Sequence, residues 1–350
     1  MVADITFYDV SEDQHPLLRK ALHNYPFWDA RLVEEPLSLK NTALAEKSAA
    51  ISIFTDSPIT MDICERLPAL RLVATRSSGF DHIDLAAAAQ HRVTVCNVPH
   101  YGEIAKAEYA FGLLIALMRR LTPTLKRCSN GNFSRIGLTG QNLHGKTLGI
   151  IGTGPVGARV VRFAHAFGMR ILAWDPQPNE QFSQDYGVVY LDLDTLLPQV
   201  DALSLHLPYT GTLHHLLDET RLRSLKAGAV LVNTARGGLI DSRALARLQA
   251  EGHFGGLALD RFEGEMVWLH AQAPLPRDLA STQLEQALHS FQLQLGENII
   301  LTPHNAFNTV ETLDRSLSTT IENIGGFFAG QPQNVVELAD QEPIRESPLE

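Results

Sequence analysis

Short apolar runs rich in β-branched residues recur along the chain at 5–9 (ITFYD), 51–55 (ISIFT), 70–75 (LRLVAT) and 93–98 (VTVCNV). They continue at 147–152 (TLGIIG), 170–175 (RILAWD), 202–207 (ALSLHL), 229–234 (AVLVNT), 257–260 (LALD) and 298–302 (NIILT). Runs this apolar, without strict alternation, read as strands covered on both faces. Helical patterns lie between them, such as ARVVRFAHAFG (158–168) and SRALARLQAEG (242–252). Strands alternating with helices predict an α/β fold built from right-handed βαβ units on parallel sheets.

Two longer patterns interrupt this rhythm. EIAKAEYAFGLLIALMRR (103–120) lacks proline and is rich in alanine and leucine, which predicts one long helix placed to join two domains. A second long helix is expected over 309–328. The stretch 265–297 fits no βα unit, and its LHAQAPLPRDLA segment reads as a surface excursion. The polar, acidic end, 339–350, reads as a loose tail.

A length of 350 residues suits two domains. The formal net charge of −10 argues against a nucleic-acid binder, which needs concentrated positive charge to displace counterions. It leaves room for a small anionic substrate, because one local arginine outweighs a diffuse negative surface. Cys64, Cys96 and Cys128 form neither a disulfide framework nor a zinc spacing. No metal site is expected, and a reducing, cytoplasmic compartment fits. MVADITFYDV lacks a basic region followed by an apolar run, so no signal peptide is expected, and no apolar stretch is long enough to predict a membrane span.

The run TLGIIGTGPVGARV sets Gly152, Gly154 and Gly157 in GxGxxG spacing after a strand and at the opening of a helix. That context predicts dinucleotide binding. Gly152 allows a tight turn, Gly154 lets backbone approach a pyrophosphate, and Gly157 lets helix and strand pack closely. Pro155 falls in the first helical turn, with Val156 beside it, and the helix amides face the phosphates. Asp175 ends the next strand, where a carboxylate accepts from both ribose hydroxyls and repels a 2′-phosphate, so NAD is expected over NADP.

Arg236, Glu265 and His304 each follow an apolar run, in NTARGG, ALDRFEGE and TPHNAF. They are the types that reduction of a 2-oxo acid needs. A guanidinium grips the carboxylate, a protonated histidine gives its proton to the carbonyl oxygen, and a glutamate bonded to the histidine raises its pKa.

These residues resemble the D-isomer-specific 2-hydroxyacid dehydrogenases. The likeness runs from about residue 45 to about 338, through ATRSSGFDHIDL, NVPHYGEIAKAE, IGTGPVG, SLHLPYT, NTARGGLID, ALDRFEGE and TPHNAF. The Tyr101 context, the EGE step and the long insert before the final strand resemble the D-lactate dehydrogenase branch most. The resemblance implies Arg236 on the substrate carboxylate, His304 as acid/base and Glu265 as its partner. It also implies that backbone amides of Ser78 and Gly79, together with Tyr101, bind substrate. Asp175, His206, Pro208, Thr234, Ala235 and Asp260 would line or support the cofactor site. The implied architecture is a Rossmann-like, doubly wound cofactor domain (102–299) inserted into a flavodoxin-like substrate domain (1–101 and 300–338), with a cleft that closes on substrate and a homodimer formed through the cofactor domain.

The implied reaction is NAD-dependent interconversion of pyruvate and D-lactate. Glyoxylate or hydroxypyruvate reduction is the alternative within the family, and a non-enzymatic, NAD-sensing corepressor-like scaffold is the alternative outside it. Three features depart from the family pattern. Arg261 stands where valine is common, Asn308 replaces an aromatic, and Ser77 and Ser78 replace bulkier residues, leaving room for a larger substrate side chain.

Overall fold

The computed structural model describes residues 3–265, 267, 281–294 and 296–337. The chain divides into two compact units, Met1–Tyr101 with Asn308–Glu350, and Gly102–Phe307. The boundary expected at 299/300 falls inside a strand of the second unit, and the chain returns to the first unit only at Asn308. The 269–280 segment and the 339–350 tail lie outside the described residues.

The first unit holds a parallel sheet of β1 (Ala3–Phe7), β2 (Trp28–Leu32), β3 (Ala50–Ile53), β4 (Leu72–Thr75) and β5 (Thr94–Cys96), in the order β2-β1-β3-β4-β5. Successive residues of its inner strands face opposite cores. Ile51, Ile53 and Val73 enter one cluster, while Ala50, Leu72 and Ala74 enter the other. The helix Val310–Phe328 closes the second cluster with Leu317, Ile321 and Ile324.

The second unit holds β6 (Thr147–Ile151), β7 (Arg170–Trp174), β8 (Val189–Tyr190), β9 (Ala202–Leu205), β10 (Val230–Asn233), β11 (Gly256–Leu259) and β12 (Ile299–Leu301). Their order is β12-β11-β10-β9-β6-β7-β8, all parallel. The same alternation applies, with Leu203, Leu231 and Leu257 to one core and Ala202, Val232 and Ala258 to the other. From β6 the chain winds outward through β7 and β8, then returns to β9 on the other side of β6. Winding reverses there, and ligands of such sheets bind beyond the strand ends at that switch.

The long helix predicted over 103–120 ends at Met118. Arg120 takes a left-handed φ of 51° and caps a second helix, Leu121–Ser129. A helix also occupies Ser281–Gln294, within the stretch that reads as irregular in sequence.

Gly157 packs helix Pro155–Ala166 onto the turn after β6, where a Cβ would lie 2.0 Å from the Gly152 carbonyl oxygen. Gly157→Ala is therefore expected to force the helix outward and cost about 1–3 kcal/mol, the usual range for overpacking. A urea denaturation midpoint unchanged from the parent protein would refute that tight approach.

Candidate active site

The glycine turn fits a dinucleotide cradle. Gly152 has φ of 92°, and a Cβ on it would meet the His206 carbonyl at 2.8 Å, so the ends of β6 and β9 touch through backbone. A Cβ on Gly154 would meet nothing within 4 Å, leaving open space over the helix N-terminus. Gly154 is the N-cap and Pro155 opens the helix, where a missing N–H costs nothing. Val156 packs against the core of this unit.

Asp175 faces the same turn. Its Oδ2 accepts from the Thr153 amide (2.6 Å) and hydroxyl (3.0 Å), and its Oδ1 from the Gln177 amide (2.8 Å). Of the roughly four lone-pair sites of a carboxylate, that leaves about one for a ribose hydroxyl, where the sequence suggests two. His206 is half-buried, with Nε2 2.9 Å from the Ser204 hydroxyl, and desolvation of the ring pushes its pKa down to about 4. It is a neutral wall of the cradle. Pro208 follows two residues on, while Thr234 is buried and the Ala235 amide donates to Asn233 Oδ1 (3.0 Å).

Arg236, Arg261 and His304 follow β10, β11 and β12. The first two turns are bound together. Buried Asn233 donates through Nδ2 to the Arg236 carbonyl (2.9 Å) and the Arg261 carbonyl (3.2 Å). The backbones press so closely that a Cβ on Gly237 would lie 2.5 Å from the Phe262 carbonyl carbon. Glu263 braces them from the far side, accepting from His215 Nε2 (3.0 Å), Gln286 Nε2 (3.1 Å) and the Ser242 amide (3.2 Å). His214, His215 and Glu263 each offer an atom within 4.8 Å of the others. Those donors already occupy the glutamate, and the group serves here as a brace.

Asp260 builds the third turn. Fully buried, it accepts from the Thr302 hydroxyl (2.6 Å), the Asn305 amide (2.7 Å) and the Ala306 amide (2.9 Å), while its carbonyl takes the His304 amide (3.1 Å). His304 is thereby held at φ 49°, in the left-handed region. Most of the acceptor capacity of Asp260 is thereby spent on the histidine turn.

The surroundings of His304 also differ from expectation. Glu265 Oε1 lies 2.8 Å from Arg261 Nη2, and its Oε2 accepts from the Phe262 amide (3.3 Å). Arg261 Nη1 lies 2.5 Å from His304 Nδ1 and 3.3 Å from its Nε2, so a guanidinium sits against the imidazole. Burial pushes the His304 pKa well below its ordinary value, and Arg261, Arg236 and Lys106 push it the same way. The expected rise is therefore reversed. Lys106 escapes the sequence reading, although one lysine within an apolar helix is a visible signal. Burial, then Arg236 and Arg261, bring its pKa down to about 8.

In the first unit, the loop after β4 is pinned from several sides. Buried Arg76 donates to the Tyr8 and Asp9 carbonyls (both 2.7 Å) and the Ser52 hydroxyl (2.9 Å). The Ser77 hydroxyl donates to the Gly79 carbonyl (2.6 Å), and Asn97 Nδ2 to the Ser78 carbonyl (2.9 Å). Tyr101 is buried, its carbonyl bonded by Arg315 (3.1 Å).

A doubly wound parallel sheet, a glycine cradle with its aspartate, and arginine and histidine turns at the ends of strands on the other side of the switch define a dinucleotide-dependent oxidoreductase. Residues 111–306 match the D-isomer specific 2-hydroxyacid dehydrogenase, NAD binding domain family. The chain belongs to the D-isomer specific 2-hydroxyacid dehydrogenases and binds NAD. It is 35% identical to a D-lactate dehydrogenase of Escherichia coli, over 87% of this chain and 89% of that one. It is 36% identical to a glyoxylate reductase of Korarchaeum cryptofilum, over 86% and 85%. The solved D-lactate dehydrogenase of Aquifex aeolicus, complexed with NAD and lactic acid, superposes with a TM-score of 0.84 at 31% identity, covering 98% of this chain and all of that one.

The depressed pKa of His206 has a pH consequence. Its folded pKa of about 4 lies below the ordinary 6.5. The unfolded chain thus binds more protons between those values, and stability falls as pH drops through that window. The full effect is on the order of 3 kcal/mol. Melting temperature followed from pH 7 to about 4 should fall less steeply in His206→Gln than in the parent, and parallel curves would refute the assignment.

Proposed function

We propose that the protein interconverts a small 2-oxo acid and its D-2-hydroxy acid, with Arg236 binding the substrate carboxylate and His304 serving as acid/base. The observation that carries this reading is the left-handed His304 turn, built by buried Asp260 at the end of β12, with Arg236 close enough to shift the imidazole electrostatically. Bound NAD supplies or accepts the hydride at the substrate carbon. His304 delivers a proton to the carbonyl oxygen in reduction and removes it from the hydroxyl in oxidation. Arg236 fixes the carboxylate and polarises the neighbouring carbonyl. Glu265 holds the imidazolium once the ring is charged. Ser78, Gly79 and Tyr101 retain, as part of the proposal, the substrate-binding roles that the family pattern implies.

Pyruvate and D-lactate are the reference pair, supported by the relatives named as D-lactate dehydrogenases, with glyoxylate as the second substrate to try. NADH consumption against a panel of 2-oxo acids tests the reading. Arg236→Ala should lower kcat/KM by about tenfold to a hundredfold, from the loss of a charge-assisted pair worth roughly 1.5–3 kcal/mol. His304→Gln should lower kcat by about 10²–10⁴. Turnover near the parent level in both variants would overturn the assignment, and NADH binding without reduction of any 2-oxo acid would favour the sensing scaffold.

A homodimer formed through the cofactor-binding unit is also part of the proposal, as is a reducing compartment such as the cytoplasm. Leu121, Leu125, Phe133 and Ile136 are exposed within a short stretch of that unit, which supports a covered face there. Cys64, Cys96 and Cys128 are all free thiols, which supports the compartment. Among the described residues no helix is long and apolar enough to cross a membrane. Light scattering should return twice the 38.6 kDa chain mass, reduced to one chain by Phe133→Glu with Ile136→Glu. A monomeric parent protein would refute the dimer.

A further inference from the structure

A glycine cradle does not by itself tell a ribose hydroxyl from a 2′-phosphate. Helix Pro155–Ala166 begins beside the open space at Gly154, and helix N-termini favour anions. A hydroxyl such as that of Thr153, in the same turn, donates to phosphate oxygen as readily as to carboxylate. The group in this turn that opposes a phosphate is the Asp175 carboxylate. Its charge discriminates only if it is held in place.

Three donors hold it. Oδ2 takes both the amide (2.6 Å) and the hydroxyl (3.0 Å) of Thr153, and Oδ1 takes the Gln177 amide (2.8 Å). The two amides are fixed by backbone, whereas the hydroxyl can rotate among staggered positions. Tyr190 settles where it points. Its phenol donates to Thr153 Oγ1 at 3.0 Å. A carboxylate only accepts, so the single hydroxyl proton of Thr153 goes to Asp175 and the phenol proton goes to Thr153. The donation runs one way, from Tyr190 through Thr153 to Asp175. Strand β8 sets Tyr190 in register with Ala173 on β7, two residues before Asp175. The tyrosine ring is half-buried against the apolar core of this unit. A tyrosine in such a place needs a partner for its hydroxyl, and buried Thr153 provides one.

We infer that Thr153 and Tyr190 are positioning residues for coenzyme selection, whose phenol–hydroxyl chain fixes the Asp175 carboxylate to accept from a ribose hydroxyl and to repel a 2′-phosphate. The inference rests on Asp175 reading the adenosine ribose. Without the phenol, the Thr153 hydroxyl can swing from the carboxylate and donate to a phosphate oxygen. One lost bond thus loosens the repelling charge and also gives the phosphate a donor. Tyr190 touches neither group itself and acts through Thr153.

Dissociation constants for NADH and NADPH, measured by fluorescence titration, test this without any turnover. The parent protein should bind NADH more tightly, and Asp175→Ala should remove most of that preference. Tyr190→Phe should lower the NADPH-to-NADH ratio of Kd by about threefold and Thr153→Val by about tenfold, the scales of one neutral and one charge-assisted hydrogen bond. Thr153→Ser keeps the hydroxyl and should stay near the parent ratio. Tyr190→Phe added to Thr153→Val should lower the ratio no further, because the hydroxyl through which the phenol acts is already gone. Equal weakening of both coenzymes in Tyr190→Phe and Thr153→Val overturns the inference, as do effects of the two that add. In either case a preference lost in Asp175→Ala leaves Asp175 in its role. A parent protein that binds the two coenzymes alike, or a preference that survives Asp175→Ala, overturns the Asp175 reading and the inference with it.

Discussion

The candidate chemistry of the second unit depends on one buried carboxylate. Asp260 ends β11 with no exposure to solvent, where an unbonded charge would be costly. It is satisfied by one hydroxyl and two consecutive amides of the loop after β12. The Thr302 hydroxyl and those amides converge on one carboxylate only if the chain between residues 302 and 305 turns sharply, and His304 carries the positive φ of that turn. A left-handed conformation is unfavourable for a side-chain-bearing residue, so three charge-assisted bonds are set against a backbone cost. The histidine is aimed by its neighbour's electrostatics rather than by its own packing.

The same low-polarity surroundings explain why charges dominate this region. His206 and His304 are both driven toward neutrality by burial, and for His304 three nearby cations add to it. Poor screening makes each guanidinium count for more than it would on the surface. A ring held neutral by burial and nearby cations becomes easier to charge when an anion offsets those cations.

Much of this was legible in the sequence, and the reasons are physical. Apolar runs mark β1, β3–β7 and β9–β12 clearly, the edge strands β5 and β12 among them. β2 and β8 escaped because their residues are only half-buried or exposed, and β8 spans only Val189–Tyr190. GxGxxG followed by Asp175 was readable because strand, turn and helix are local in sequence. The turns carrying Arg236 and His304 were readable because each follows an unmistakable strand. Arg261 was visible as a departure, yet its direction was not, since adjacency to Asp260 fixes a Cα and leaves the side chain undecided. Lys106 was hidden by a helix whose apolar residues dominate the pattern. Of the two acids in ARG-PHE-GLU-GLY-GLU order after Asp260, Glu263 turns away to brace the neighbouring turn while Glu265 meets Arg261.

Asn233 holds residue 261 by its carbonyl, not by its side chain. The backbone there is anchored, and whatever side chain it bears projects from a fixed mount. Exchanging arginine for another residue alters the charge and reach beside His304 while the strand ends keep this backbone tie. Position 261 thus works as a socket, in which the side chain facing His304 can change while its backbone mount stays in place.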